Sequence, residues 1–262
     1  MENKSYAVPV IVTIAIIILA GAFFFYQGPS IDNGQTASII QSLAPLLQPA
    51  EDVNMDSLRA VSGDDLLRGE AAAPIKLVIY SDLECPACAW FHDQLGQMSD
   101  YIKEGKVAVA FRHFPLDSIH PSARKLAVAA ECAGKLGGSE KFWQFIDFVF
   151  AAPDKSAESL VADATEAIGL DIETMTSCQA EKEISDAVES EYQEATGLGA
   201  QGTPFIAVVG PDDLVMPIFG GREAKDLKQA IDMILADEAE PIVETEIETE
   251  IEEAVATSSA TE

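Results

Sequence analysis

Basic residues are scarce in this chain. Sixteen Lys and Arg stand against 44 Asp and Glu in 262 residues, for a formal net charge of −28. Such a surface repels phosphate backbones and argues against nucleic-acid binding. It argues equally against a basic protein held on a membrane surface. Histidine is rarer still, at three, and cysteine numbers four. Only Cys85 and Cys88 lie close together, so a closed zinc site built from two close Cys or His pairs lacks its second half. Apolar residues make up 48% of the chain. With both ends set aside, the middle suffices for one good-sized domain.

Charge is also missing from one long stretch near the start. No charged residue falls between Lys4 and Asp32. Ala7 to Tyr26 reads AVPVIVTIAIIILAGAFFFY, about the 20 apolar residues that a helix needs to cross a bilayer core. Lys4 and the amino terminus precede it, and no basic residue follows until Arg59. The positive-inside tendency places residues 1–6 in the cytoplasm and the remainder outside, with Glu2 offsetting part of the bias. Ala20-Gly21-Ala22 resembles a signal-peptidase site, but the apolar run continues through Phe23, Phe24, Phe25 and Tyr26, which favours a retained anchor over a cleaved signal. Either way the domain is exported. The expected location is a plasma membrane, single-pass, with the domain in the periplasm or at the cell exterior.

Residues 27–58, with Gly28, Pro29, Gly34, Pro45 and Pro49, read as a flexible stalk. Residues 237–262 form an acidic low-complexity tail without a basic residue, expected to be disordered. Between them the pattern alternates. Lys76–Tyr80 (KLVIY) and Lys106–Phe111 (KVAVAF) read as strands around a helix over Pro86–Glu104. Helical periodicity then dominates, through Ala123–Val149, Ala157–Ile168 and Glu173–Ala195. Phe205–Val209 (FIAVV) and Val215–Phe219 read as a hairpin, followed by a helix around Leu227–Leu235. The order β–α–β, helical block, β–β–α describes one α/β domain over 59–236, with a helical insertion at about 117–196 and a parallel first crossover.

Glu84-Cys85-Pro86-Ala87-Cys88 sits where the first strand gives way to its helix. Unpaired backbone N–H groups and the positive end of the helix dipole face Cys85 there, favouring thiolate over thiol. Cys88 lies one turn further on, in reach of Cys85 and less exposed. Cys85 is therefore the candidate nucleophile and Cys88 the resolving thiol, with Pro86 stiffening the first turn. Two rivals remain: an inert disulfide, and a three-ligand metal cluster with His92. Thr203-Pro204 directly precedes the FIAVV strand, a tolerated place for proline. Local sequence alone leaves this bond trans, the statistical default.

These residues resemble the DsbA-type thiol–disulfide oxidoreductases of the thioredoxin superfamily, in a membrane-anchored bacterial branch. The resemblance runs over about 60–236. It rests on RGEAAAPIKLVIYSDLECPACAWFH, FRHFPL, His120-Pro121, AAECA, Phe142-Trp143 and GTPF together. It implies a thioredoxin-like fold split by an α-helical domain, with Cys85 and Cys88 as the redox pair. It also implies that Thr203-Pro204 is a cis-proline loop facing the active site and receiving extended substrate. No cofactor is implied. The implied partners are reduced or misoxidised exported proteins, with either a membrane quinone-linked reoxidant or a reductant donor. The alternative is a reductase or isomerase using the same cysteines, and a monomer is expected. Where the best-known oxidants carry Pro-His between the cysteines, this chain carries Pro86-Ala87, which points to a less oxidising couple.

Cys132 and Cys178 lie in the helical block. An oxidising compartment favours a structural disulfide between them over two separate buried thiols. His92, His113 and His120 read as packing residues, and Asp82 and Glu84 as solvated acids beside the active turn.

Overall fold

The computed structural model describes residues 53–152 and 155–237. The expected anchor over Ala7–Tyr26 and the acidic tail beyond 237 fall outside these residues. Among the described residues, no helix is long and apolar enough to cross a membrane.

Five strands, β1 (Leu67–Arg68), β2 (Ile75–Ser81), β3 (Val107–His113), β4 (Phe205–Val209) and β5 (Val215–Phe219), form one sheet in the order β1-β3-β2-β4-β5. β2 and β3 are parallel, and every other pairing is antiparallel. The parallel pair is joined through α1 (Pro86–Gly96) and α2 (Ser99–Lys103). Four helices separate β3 from β4: α3 (Ala123–Ala151), α4 (Ala157–Ala167), α5 (Ile172–Gln179) and α6 (Lys182–Gly197). α7 (Ala224–Asp237) follows the β4–β5 hairpin.

The alternation of side chains along each strand fixes two cores. Ile75, Leu77, Ile79, Val107, Val109 and Phe111 face α1 and the helical insertion. Val78, Tyr80, Ala110, Phe205 and Ala207 face the other way, against Phe114, Ala195 and Leu198. Both faces are thus covered, which is why the strands read as unbroken apolar runs rather than as alternating ones. Each fully buried Leu, Ile, Val or Phe contributes roughly 1.5–3 kcal/mol.

Four departures from the sequence reading have physical causes. Residues 53–58, expected as the end of a stalk whose residues 27–52 lie outside the described residues, belong to the domain, because Met55 and Leu58 pack on the second core and the Asn54 N–H donates to the Leu198 carbonyl at 3.2 Å. The first helix divides at Gln97-Met98, where Met98 is wholly buried. The last insertion helix divides at Ala180-Glu181. Nothing in that stretch breaks a helix by propensity, so the turn is set by burying Met175, Cys178 and Ile184 in one core. The long α3 carries a break at Gly138, whose φ of 71° is open to glycine and strained for other residues.

Cys132 on α3 and Cys178 on α5 are joined as a disulfide, both buried. The bridge closes a loop of 46 residues. On the chain-entropy account its removal costs roughly 3–4 kcal/mol. Urea unfolding of the Cys132→Ala/Cys178→Ala protein is expected to register that loss, and a change below about 1 kcal/mol would contradict it.

Candidate active site

β2 delivers the chain to the site, and Asp82 turns it. Asp82 is buried, with 1% of its surface exposed. Its carbonyl accepts the Cys85 N–H at 3.1 Å, and its Oδ1 accepts the Glu84 N–H at 2.7 Å. Its Oδ2 accepts the Leu116 N–H at 2.7 Å and lies 2.9 Å from His120 Nδ1. Glu84 Oε2 accepts the Ser122 N–H at 2.6 Å. The two acids are therefore not ordinary solvated groups, and His120 is not simple packing. Together they clasp the loop between β3 and α3 onto the active turn. The turn-closing bond from Asp82 to Glu84 is a local Asx pattern visible in sequence. The bonds to Leu116, His120 and Ser122 are long-range and leave no local signal.

Cys85 caps α1 with extended backbone (φ −77°, ψ 121°), and Pro86 occupies the first turn. The sequence produces this corner because proline lacks the N–H that a first-turn position leaves unused and is preset for helical φ. Cys85 and Cys88 are both free thiols, 8% and 2% exposed. Thr203, whose bond to Pro204 is cis, places its carbonyl 3.7 Å from Cys85 Sγ. Cys85, Pro86, Ala87, Cys88 and the Thr203-Pro204 loop are thus brought together, while Cys132 and Cys178 are joined elsewhere in the helical insertion.

The two sulfurs are driven apart in acidity. The hydrogen bond from the Cys88 thiol lowers Cys85 most. Burial opposes it, and Thr203 and the N–H groups of Cys88 and Ala87 reinforce it, bringing Cys85 down to about 5. Burial and the neighbouring Cys85 charge push Cys88 far up, so it keeps its proton. For His120, burial disfavours the charged form. The hydrogen bond and charge of Asp82, with the charges of Cys85 and Glu84 behind it, outweigh burial and raise its pKa. A group whose protonated form is favoured by its surroundings thus stands near the thiolate, although no histidine lies between the cysteines.

His92 turns away from the cysteines. Its Nε2 lies 2.6 Å from Asp147 Oδ1, and its ring packs near Trp143 and Phe150. A Cys85/Cys88/His92 metal cluster is therefore not assembled. A cavity of about 400 Å³ opens beside Cys85 between α1 and the insertion, lined by Leu83, Pro86, Ala89, Leu126 and Leu160, with Glu84 and Lys155 as charged groups. Trp90, 44% exposed, stands on the outer face of α1 against Gly221, where a Cβ would meet its ring at 2.7 Å.

A family model described as thioredoxin matches residues 61–214, more than half of the chain. The chain is 27% identical over 221 residues to Na(+)/H(+) antiporter NhaA 3 of Salinispora tropica, covering 76% of this chain and 32% of that protein. It therefore spans about a third of the length of that relative. It is 27% identical over 240 residues to the probable disulfide bond formation protein D of Bacillus anthracis, covering 88% of this chain and 96% of that one. The crystal structure of Wolbachia pipientis alpha-DsbA1 superposes with a TM-score of 0.61 at 25% identity, covering 70% of this chain and 97% of the other. With a reduced Cys85–Cys88 pair opening a helix opposite a cis-proline loop, these matches lead to one conclusion: the chain belongs to the thioredoxin family, as a DsbA-like member of it.

Proposed function

We propose that the protein is a thiol–disulfide oxidoreductase that introduces disulfides into exported proteins. The observation that carries this reading is the pairing of an acidified, helix-capping Cys85 with a protonated, buried Cys88 behind it. In the oxidised form, a substrate thiolate attacks Cys85 Sγ, the Cys85–Cys88 bond breaks, and Cys88 leaves and takes up a proton. A second substrate thiolate attacks the substrate sulfur of the mixed disulfide. The substrate disulfide forms and Cys85 leaves as a thiolate, so two electrons have passed to the enzyme. The name of the Bacillus anthracis relative, a probable disulfide bond formation protein, supports this direction.

The Thr203-Pro204 loop receives the extended substrate, and the cavity beside Cys85 takes an apolar side chain flanking the target cysteine. The segment Ala7–Tyr26 serves as a signal-anchor, holding the domain outside the plasma membrane near newly exported chains. Reoxidation falls to a membrane quinone-linked partner. A Cys85 pKa near 5 lies between about 3.5 for the strongest oxidant and about 7 for thioredoxin. The reduction potential is accordingly expected between about −120 and −270 mV. Equilibration with glutathione buffers measures it. A value at or below the thioredoxin end would overturn oxidation in favour of reduction.

A further inference from the structure

At the end of β3, three side chains from three elements converge. His113 ends β3, Glu131 lies on α3 beside Cys132, and Glu191 lies on α6. One ligand atom from each falls within 4.8 Å of the other two. His113 is 1% exposed, yet neither ring nitrogen makes a hydrogen bond. Its Nε2 lies 3.3 Å from Glu131 Oε1, close enough for an ion pair but without hydrogen-bond geometry. Its ring edges meet Phe111 and Phe142 and offer no polar partner. Buried polar groups are nearly always satisfied, so an imidazole aimed at two carboxylates with both nitrogens idle needs an occupant.

Charge points the same way. Asp65 and Glu194 pair with Arg59 as well as with Arg112. Arg112 is already bound to Asp65 and Glu194. With Arg112 and Arg59 taken up by Asp65 and Glu194, the Glu131 and Glu191 carboxylates are left to His113, whose backbone N–H donates to Glu191 Oε2 at 2.6 Å.

We propose that His113, Glu131 and Glu191 bind one divalent cation of the zinc class, which ties the sheet to both long arms of the helical insertion. One imidazole with two carboxylates suits a borderline cation such as Zn²⁺ or Co²⁺, with water completing the shell. Calcium and magnesium, which prefer oxygen alone, fit less well. The site is independent of Cys85 and Cys88 and of the activity assigned to them.

The test uses the full chain, oxidised so that neither active-site cysteine offers a thiolate. Titration with Zn²⁺ by calorimetry is expected to fill one site and raise the unfolding temperature. Co²⁺ should give visible bands of oxygen and nitrogen ligation, without thiolate charge transfer. His113→Gln and, separately, the more exposed Glu131→Gln should each weaken binding roughly a hundredfold or more, since even outer-shell changes at metal sites cost about 10–100-fold. Zn²⁺ held equally by wild type and both variants reports weak association with surface acids and overturns the site. So does the absence of binding, which would mean that protons alone balance the cluster.

Discussion

Cys85→Ser is expected to abolish catalysed disulfide exchange, leaving only the rate of the uncatalysed reaction, whereas Cys88→Ser, which cannot form the active-site disulfide, should lose oxidation as well and react only with a substrate that is already disulfide-bonded, Cys85 Sγ displacing one substrate sulfur as thiolate and holding the other in a mixed disulfide. The reason lies in which sulfur is the better leaving group. At pH 7 a thiol with a pKa of about 5 is almost wholly thiolate, against a few per cent for an ordinary cysteine near 8.5, roughly a thirtyfold gain in concentration. Intrinsic nucleophilicity falls as pKa falls, with a Brønsted slope of about 0.4–0.5, and cancels nearly all of that gain. What survives is departure: a weakly basic sulfur is expelled readily from a mixed disulfide. Acidity at Cys85 therefore speeds release of oxidised product more than it speeds attack. Iodoacetamide labelling of the reduced protein should modify Cys85 with a midpoint near pH 5 and spare Cys88 until the protein unfolds. A midpoint near 8.5 would remove the basis for this mechanism.

The same acidity sets a pH dependence. Cys85 has its pKa depressed in the folded, reduced state, so the thiolate's stabilising contribution is complete above the unfolded value, about 8.5, and is lost as pH falls through that value toward about 5. The disulfide form has no such group. The unfolding temperature of reduced minus oxidised protein is therefore expected to rise with pH between about 5 and 8.5 and to flatten beyond. At pH 7 the contribution is about 1–2 kcal/mol, after allowing for solvent screening.

How much of this was legible beforehand depends on whether the signal was local. The strand–Cys-Pro-Ala-Cys–helix corner was legible because proline, helix onset and thiol spacing all act within a few residues. The β4–β5 hairpin and the strand-like runs of β2, β3 and β4 were legible for the same reason. The resemblance added the cis bond at Thr203-Pro204, which local sequence left trans. Asp82 misled, because an acid beside an active turn reads as solvated. Only the fold brings the Leu116 N–H, Ser122 and His120 to this turn. His113 packs on Phe111 and Phe142 as its sequence suggests, and its idle ring nitrogens become apparent only when α3 and α6 close over it. β1 was missed entirely, since two residues carry no periodicity.

Arg112 shows the limit most sharply and gives the largest expected loss of stability. The sequence reading ended its strand at Phe111, where the apolar run KVAVAF stops. In the fold it continues β3 with no exposed surface at all. Its Nε and Nη2 donate to Asp65 at 2.9 and 3.2 Å, and its Nη1 donates to Glu194 at 2.9 Å and to the Tyr80 hydroxyl and Arg59 carbonyl at 3.1 Å. Removing one member of a buried ion network strands the others, at a cost of roughly 3–5 kcal/mol. Arg112→Ala is expected to lose about that much by urea unfolding at pH 7, and Arg112→Lys somewhat less, since one ammonium cannot replace a forked donor. Replacing the arginine and both carboxylates together with apolar residues should be much milder, because no charge is then left alone. Acid supplies the check on cause. Burial raises the Asp65 pKa, but the hydrogen bond and charge of Arg112 outweigh it and hold the carboxyl below its ordinary value. Its contribution is therefore complete above about pH 4 and is lost as pH falls through the folded value. The gap between wild type and Arg112→Ala should narrow over that acid range. A gap that stays constant down to pH 2 would mean that the arginine acts by packing alone.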